Sequence, residues 1–277
     1  MRNFSFSRFM FWAGLTFLYL PMFILVIYSF NESRLVTVWA GWSTKWYGEL
    51  FQDTQIMSAV KRSLEVAFLS ATSAVFFGML SSWAMVRIAK FRGKTLFGGM
   101  ITAPLVMPDV IIGLSLLLLF VAFTQLTGWP RERGMLTIWI AHTTFGMAYA
   151  TVVISSRLRE MDASIEEAAM DLGAPPLKVF FAITLPLIAP AVVSAWLLAF
   201  TLSLDDVVIA SFVTGPGATT LPIEVLSSVR RGVSPKINVL ASLIIFAVSM
   251  VTFTVWYVSR RLEKNRQKAM ADDFLIE

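Results

Sequence analysis

Three aspartates stand inside apolar stretches: Asp109 in "APLVMPDVIIGLSLLLLF", and Asp205 and Asp206 in "LAFTLSLDDVVIASF". An ionised carboxylate at the centre of a bilayer costs about 2.5–3.5 kcal/mol on insertion scales. Three unpaired ones would cost roughly 8–10 kcal/mol together, comparable to the whole stability of a typical domain. They are therefore expected to be paired, protonated or turned towards water. The apolar stretches offer few basic partners, which favours a polar pathway, and a pathway lined by carboxylates attracts cations. Two structural alternatives stand beside that reading. Asp109 caps a helix broken by Pro104 and Pro108, or one of the adjacent pair hydrogen-bonds to a neighbouring helix. Because Asp205 and Asp206 are about 100° apart on a helix, they point in different directions. At least one of the three is expected on a substrate path, with Asp205 or Asp206 ahead of Asp109.

Signals for other chemistry are thin. The chain has one histidine, His142, and no cysteine. It has no paired-histidine metal motif and no nucleophile elbow. His142 lies in an apolar stretch and is expected to be hydrogen-bonded within a helix bundle rather than to serve as a ligand or proton relay. "FRGKTLFG" ends like a phosphate-binding loop, but the pattern needs a glycine five positions before Gly93, where Ile88 stands. No nucleotide, metal or other cofactor is therefore expected on this chain, and nothing points to nucleic acid. Nine tryptophans are read mainly as interface anchors and packing.

The elements that must position these residues follow from composition. Of 277 residues 57% are apolar and 15% charged, far from a soluble domain. About 20 mostly apolar residues cross a bilayer as a helix, and six stretches qualify: 9–30, 64–86, 99–126, 135–156, 182–213 and 238–258. The first follows Arg2 and Arg8; its apolar part is too long for a signal peptide and is read as a retained anchor. With the N-terminus inside, the inner segments hold fourteen of the 23 lysines and arginines, so both termini are expected to be cytoplasmic. Lys61 and Arg62 count against this orientation. In the last outer loop, Thr220, Pro222 and Gly232 are spaced to start and stop a short helix carrying Arg230 and Arg231, a candidate gate or contact for an external protein.

One inner segment breaks the apolar pattern: "EEAAMDLGAPPLKVFFAITLP", residues 166–186. Ser164 and Glu167 are spaced as a capping box. Ile165, Ala168, Ala169 and Leu172 recur on one helical face, with Glu166, Glu167 and Asp171 away from it. Gly173 suits a left-handed helix end, and Pro175 and Pro176 stop the helix while favouring a new start. A two-turn helix, a corner and a second short helix are expected over 165–176. Such a piece is too short to stand alone and resembles a knob awaiting a socket. An acidic face argues against simple adsorption to anionic lipid.

Glu167-Ala168-Ala169, then Gly173 after three intervening residues, and Ile183-Thr184-Leu185-Pro186 after nine more resemble the EAA signature of bacterial ABC importer permeases. The resemblance implies that Glu167, Ala168, Ala169 and Gly173 belong to the coupling helix that docks on a cytoplasmic ATPase. "FRGKTLFGGMITAPLVMPDVIIGLSLLLLF", "WIAHTTFGMAYATVVISSRLRE" and "LAFTLSLDDVVIASFVTGPGATTLPIEVLSSVRRGVSP" resemble the polyamine branch of that family, and within it the putrescine importers. The similarity extends over nearly all the chain.

This implies an all-α, six-helix type I ABC importer permease fold forming a single transmembrane domain over 1–277, in a bacterial inner membrane. It also implies import of a polyamine, putrescine first, with spermidine or another small solute as the alternative. ATP and Mg would sit on the partner ATPase. The expected partners are a homologous second permease completing the path, two ATPase copies, a periplasmic polyamine-binding protein and membrane lipid. Two other classes fit less well. A proton-coupled secondary transporter leaves the EAA signature unexplained, and a membrane enzyme lacks a catalytic constellation.

Overall fold

The computed structural model describes residues 6–274 apart from Ala89 and Val233; Arg2 lies outside the described residues. Among them the chain is helical, with one isolated bridge between Asn31 and Trp42 instead of a sheet. Six helical segments are long and apolar enough to span a bilayer. The contacts divide the chain into two compact units.

The first unit comprises residues 1–54 and 228–277. It contains α1 (Phe6–Tyr28), α2 (Lys45–Phe51) and the long α12 (Pro235–Phe274). α12 packs against both others, and Lys236 Nζ reaches Asp53 Oδ2 at 3.0 Å. No residue of α1 is buried, so its apolar surface is available to lipid or another chain. The α1–α2 connection folds around Asn31. The Asn31 side chain donates to Val38 O and accepts from Ser33 N and Ala40 N, and its carbonyl accepts from Trp46 Nε1 at 2.8 Å.

The second unit, residues 55–227, is built on α3 (Thr54–Arg87), α6 (Met135–Glu160) and α9 (Leu185–Asp205). Lipid offers little hydrophobic drive for helices to associate, so close backbone approach through small residues does the work. Ala67, Ala71 and Ala74 on α3, Ala141, Ala148 and Ala150 on α6, and Ala195 and Ala199 on α9 are all buried. A Cβ added at Gly78 would fall 2.7 Å from Ala150 Cβ, and one at Gly146 would fall 3.1 Å from Ala74 Cβ. Ser82 Oγ donates across this seam to Thr151 O at 2.9 Å.

Two of the expected spans are interrupted. The run 99–126 is not one helix: α4 (Lys94–Val106) ends at extended Met107, and α5 (Asp109–Thr127) starts after Pro108. The cause is local, because Pro108 has no amide to continue the ladder and disfavours helical backbone at Met107. The run 182–213 divides likewise into α9 and α10 (Val208–Val213), with Asp206 extended between them. Near its start, residues 180–184 form a π-turn that joins α8 (Pro176–Val179) to α9. The short helix between the last two spans, α11 (Leu221–Arg231), is where the turn residues place it, with Gly232 at φ +119°. Its start is fastened to α3 by Leu221 N donating to Ser63 Oγ at 2.7 Å and by Gln55 Nε2 donating to Glu224 Oε2 at 2.9 Å.

The seam yields a test. Gly78→Leu should cost about 1–3 kcal/mol by overpacking against α6 and lower the thermal midpoint in detergent. Gly99→Ala, where an added Cβ meets nothing within 4 Å, should not.

Candidate functional site

The α9–α10 interruption leaves the first amides of α10 without partners inside the helix, and Asp206 supplies them. Its Oδ1 accepts from Ile209 N at 3.2 Å and its Oδ2 from Ala210 N at 2.7 Å. Asp206 Oδ2 is also 3.1 Å from His142 Nε2, while His142 Nδ1 is 2.7 Å from Ser203 Oγ. Ser70 Oγ donates to Ser203 Oγ at 3.0 Å. One neutral histidine tautomer satisfies every link: Ser70 to Ser203, Ser203 to Nδ1, and the Nε2 proton to Asp206. The buried chain thereby ties α3, α9, α6 and α10 together. His142 is 4% exposed and is the bundle-bonded histidine that was expected. Of the two aspartates, Asp206 is the one that bonds to a neighbouring helix.

Asp205 ends α9 and is exposed. Asp206, Asp109 and His142 are all within electrostatic range of it. Asp109 stands exposed in the first turn of α5, where the helix dipole favours an anion. It starts a helix because the chain breaks at Pro108, which itself occupies the cap position. α5 packs on α10, and at Gly113 a Cβ would sit 2.6 Å from the Phe212 ring. The two interrupted segments therefore meet, and this meeting brings Asp109 and Asp205 into one electrostatic neighbourhood. Asp206 is turned away into the serine–histidine chain.

The EAA segment forms α7 (Ala163–Asp171), a corner at 172–175, and α8. Its start differs from the expected capping box. Asp162, not Ser164, is the cap, accepting from Ser164 N at 2.9 Å. Hydrogen bonds from the Ser164 amide and hydroxyl hold the Asp162 carboxyl below its ordinary value. Gly173 has φ +87°, and Gly173 N and Ala174 N donate back to Met170 O and Ala169 O at 2.9 and 3.1 Å, a glycine-terminated helix end.

The apolar face is open, as a knob awaiting a socket requires, and one acid leaves the outer acidic face. Ile165 and Leu172 are 45% and 90% exposed, and Glu167 and Ala168 are exposed as well, with Ala169 partly covered. Glu166, expected on the outer acidic face, is 6% exposed. Its Oε2 is 2.8 Å from Arg87 Nε at the end of α3, and Thr184 Oγ1 in the π-turn donates to its Oε1 at 2.5 Å. A buried cation nearby is the reason an acid turns inward where an alanine or isoleucine could have been used. Sequence reading assigned no structural role to the side chains of Glu166, Arg87, Thr184, Ser203 and Ser70. The available signal was an acid beside the signature and an arginine ending an apolar run, with nothing in the spacing to join them.

Six apolar helices, interruptions that carry carboxylates, and a short EAA segment with exposed apolar residues define a polytopic membrane permease. The chain belongs to the family described as "Binding-protein-dependent transport system inner membrane component", which matches residues 74–266, and is a multi-pass permease subunit of the ABC importer class. It is 67% identical to the "Putrescine transport system permease protein PotI" of Escherichia coli (strain K12), over 91% of this chain and 90% of that one. It is 38% identical to the "Spermidine/putrescine transport system permease protein PotC" of the same strain, over 93% of each chain. A crystal structure of a bacterial ABC transporter involved in import of the polysaccharide alginate has the same fold, at TM-score 0.64 and 15% identity, over 94% of this chain and 99% of that one.

The two neighbouring aspartates should separate by experiment. Asp206→Ala removes the cap and the histidine's partner and should destabilise the purified protein by about 1–3 kcal/mol. Asp205→Asn should leave its thermal midpoint unchanged.

Proposed function

We propose that this chain is one of two permease subunits of an ATP-driven polyamine importer, with putrescine as the substrate. The observation that carries the substrate assignment is the extent of similarity to the putrescine permease of Escherichia coli. The exposed pair Asp205 and Asp109 supplies matching chemistry, because putrescine is an aliphatic dication and meets carboxylates that lack a buried partner.

The chain acts as a single permease domain over 1–277, with both termini cytoplasmic and residues 163–176 on the cytoplasmic face. A homologous permease completes the path, two ATPase copies hold ATP and Mg, and a periplasmic protein delivers the polyamine. Lipid covers the outward apolar surfaces. In the resulting cycle a loaded binding protein docks outside and ATP closes the ATPases. Glu167, Ala168, Ala169 and Gly173 form the element through which that closure reaches the membrane. The path opens outward, the diamine contacts Asp205 and Asp109, and hydrolysis returns the path to an inward-facing state. Exposed carboxylates hold a cation weakly enough for release. Asp206 serves the path indirectly, by keeping the α9–α10 corner in one geometry.

Uptake of labelled putrescine and spermidine, in cells lacking this chain and complemented with variants, tests the reading. Wild type should restore putrescine uptake, and Asp205→Asn should lower it by about tenfold or more at normal membrane abundance. Restoration of neither polyamine by wild type would remove the substrate assignment. Arg230, exposed on α11, is assigned to the binding-protein contact. Arg230→Glu should weaken that complex at low salt and matter less at about 1 M salt, where charges are screened beyond about 3 Å. Equal affinity at low salt would refute the contact.

A further inference from the structure

The coupling element is only as useful as its connection to the helices it must move. α7 has nine residues and α8 four, and the corner between them turns on a left-handed glycine. Such a piece, joined to the spans by backbone alone, would absorb a push by bending at that corner. The Glu166 carboxylate removes this freedom at one point. One oxygen faces Arg87 Nε at 2.8 Å and the other accepts from Thr184 Oγ1 at 2.5 Å. Arg87 is the last residue of α3, and Thr184 is the last residue of the π-turn that leads into α9. Side-chain exposures of 15% for Arg87 and 8% for Glu166, with Thr184 fully buried, place the three groups largely out of water, where the Arg87–Glu166 ion pair is little screened and the Thr184 hydrogen bond to a charged acceptor is strong. The two helices reached are the ones that carry the polar site. α3 contributes Ser70, and α9 contributes Ser203 and ends at Asp205.

The π-turn gives the device a moving part. Its widened hydrogen-bond pattern is weaker than that of an α-helix and recurs at functional sites. Here it sits between α8 and α9, with its final residue pinned to Glu166. A displacement of α7 along its own axis therefore pulls on Thr184 and Arg87 together.

We propose that Glu166 is the positioning residue of the coupling element. Clasped between Arg87 and Thr184, its buried carboxylate fixes α7 to the ends of α3 and α9, so that ATPase motion reaches the substrate path instead of being lost in the corner at 172–175. This rests on the reading of α7 as the ATPase-docking helix. It assigns Glu166 a role distinct from that of the exposed Glu167, which faces outward to the partner.

Removing one member of a buried pair leaves the other uncompensated and can simply unfold the site, whereas replacing both with apolar residues is often neutral for stability. The decisive variant is therefore the double one, Arg87→Met with Glu166→Leu. It is assembled with the second permease and the ATPase in lipid nanodiscs for ATP hydrolysis, and in proteoliposomes for putrescine uptake. The ATPase should co-purify in wild-type amount, while uptake and the stimulation of hydrolysis by putrescine-loaded binding protein fall by about tenfold. Wild-type uptake by the double variant would reduce the pair to a folding role and overturn the proposal. Loss of the ATPase from the complex would also overturn it, by making Glu166 part of the docking surface. Thr184→Val and Thr184→Ser provide a second line with little risk to folding. Valine should lower stimulated hydrolysis, and serine, which keeps the donor, should restore it; identical behaviour of the two would count against the clasp. Leu172→Asp, on the exposed face, tests the underlying reading separately. It should release the ATPase, and normal co-purification and uptake would sink the docking assignment whatever the clasp variants show.

Discussion

Inside hydrocarbon an unpaired backbone amide has no water to turn to, so each interruption of a spanning helix must be satisfied by the protein itself. This constraint organises the polar half of the molecule. The α9–α10 corner exists because Asp206 accepts the two amides that the break exposes. Asp206 can remain there because His142 faces its second side, and His142 is in turn held by Ser203 and Ser70. The cost of one broken helix is spread over four helices. The α4–α5 break is less demanding: Pro108 has no amide to lose, and its carbonyl accepts from Ile111 N and Ile112 N at 2.9 and 3.2 Å.

Those interruptions also decide where the carboxylates stand. A continuous helix would pass Asp205 and Asp206 as two steps of one spiral. The corner instead separates them, one into the buried chain and one outward, and it carries α10 onto α5 so that Asp109 approaches Asp205. One carboxylate serves architecture and leaves its neighbours chemically available. The small-residue seam of α3, α6 and α9 has a related effect. Because backbones meet at Gly78 and Gly146, these helices pack with little slack.

The parts legible in the sequence were those governed by local chemistry. Gly173, Pro175 and Pro176 predict the corner after α7, and the left-handed backbone at Gly173 follows from the absence of a Cβ. Apolar run length predicts six spans, because hydrocarbon thickness sets a minimum helix length. Length alone did not reveal that two of the runs are divided. A run of apolar residues looks the same whether the backbone is straight or broken, and only Pro108 marks one of the two breaks.

The sequence by itself determined the class of protein, the short helix–corner–helix segment at 163–179 and the identity of the three aspartates. Each depends on composition, on fixed spacing, or on a charge that is conspicuous in an apolar run. Tertiary structure alone decided what those groups do. Which way Asp206 turns depends on His142, 64 residues away, and whether Glu166 faces outward depends on Arg87 and Thr184, on two other segments. A helical face is apolar or acidic by its own residues, but which face turns inward is settled by the charge that waits there. That charge comes from parts of the chain whose approach no local pattern encodes.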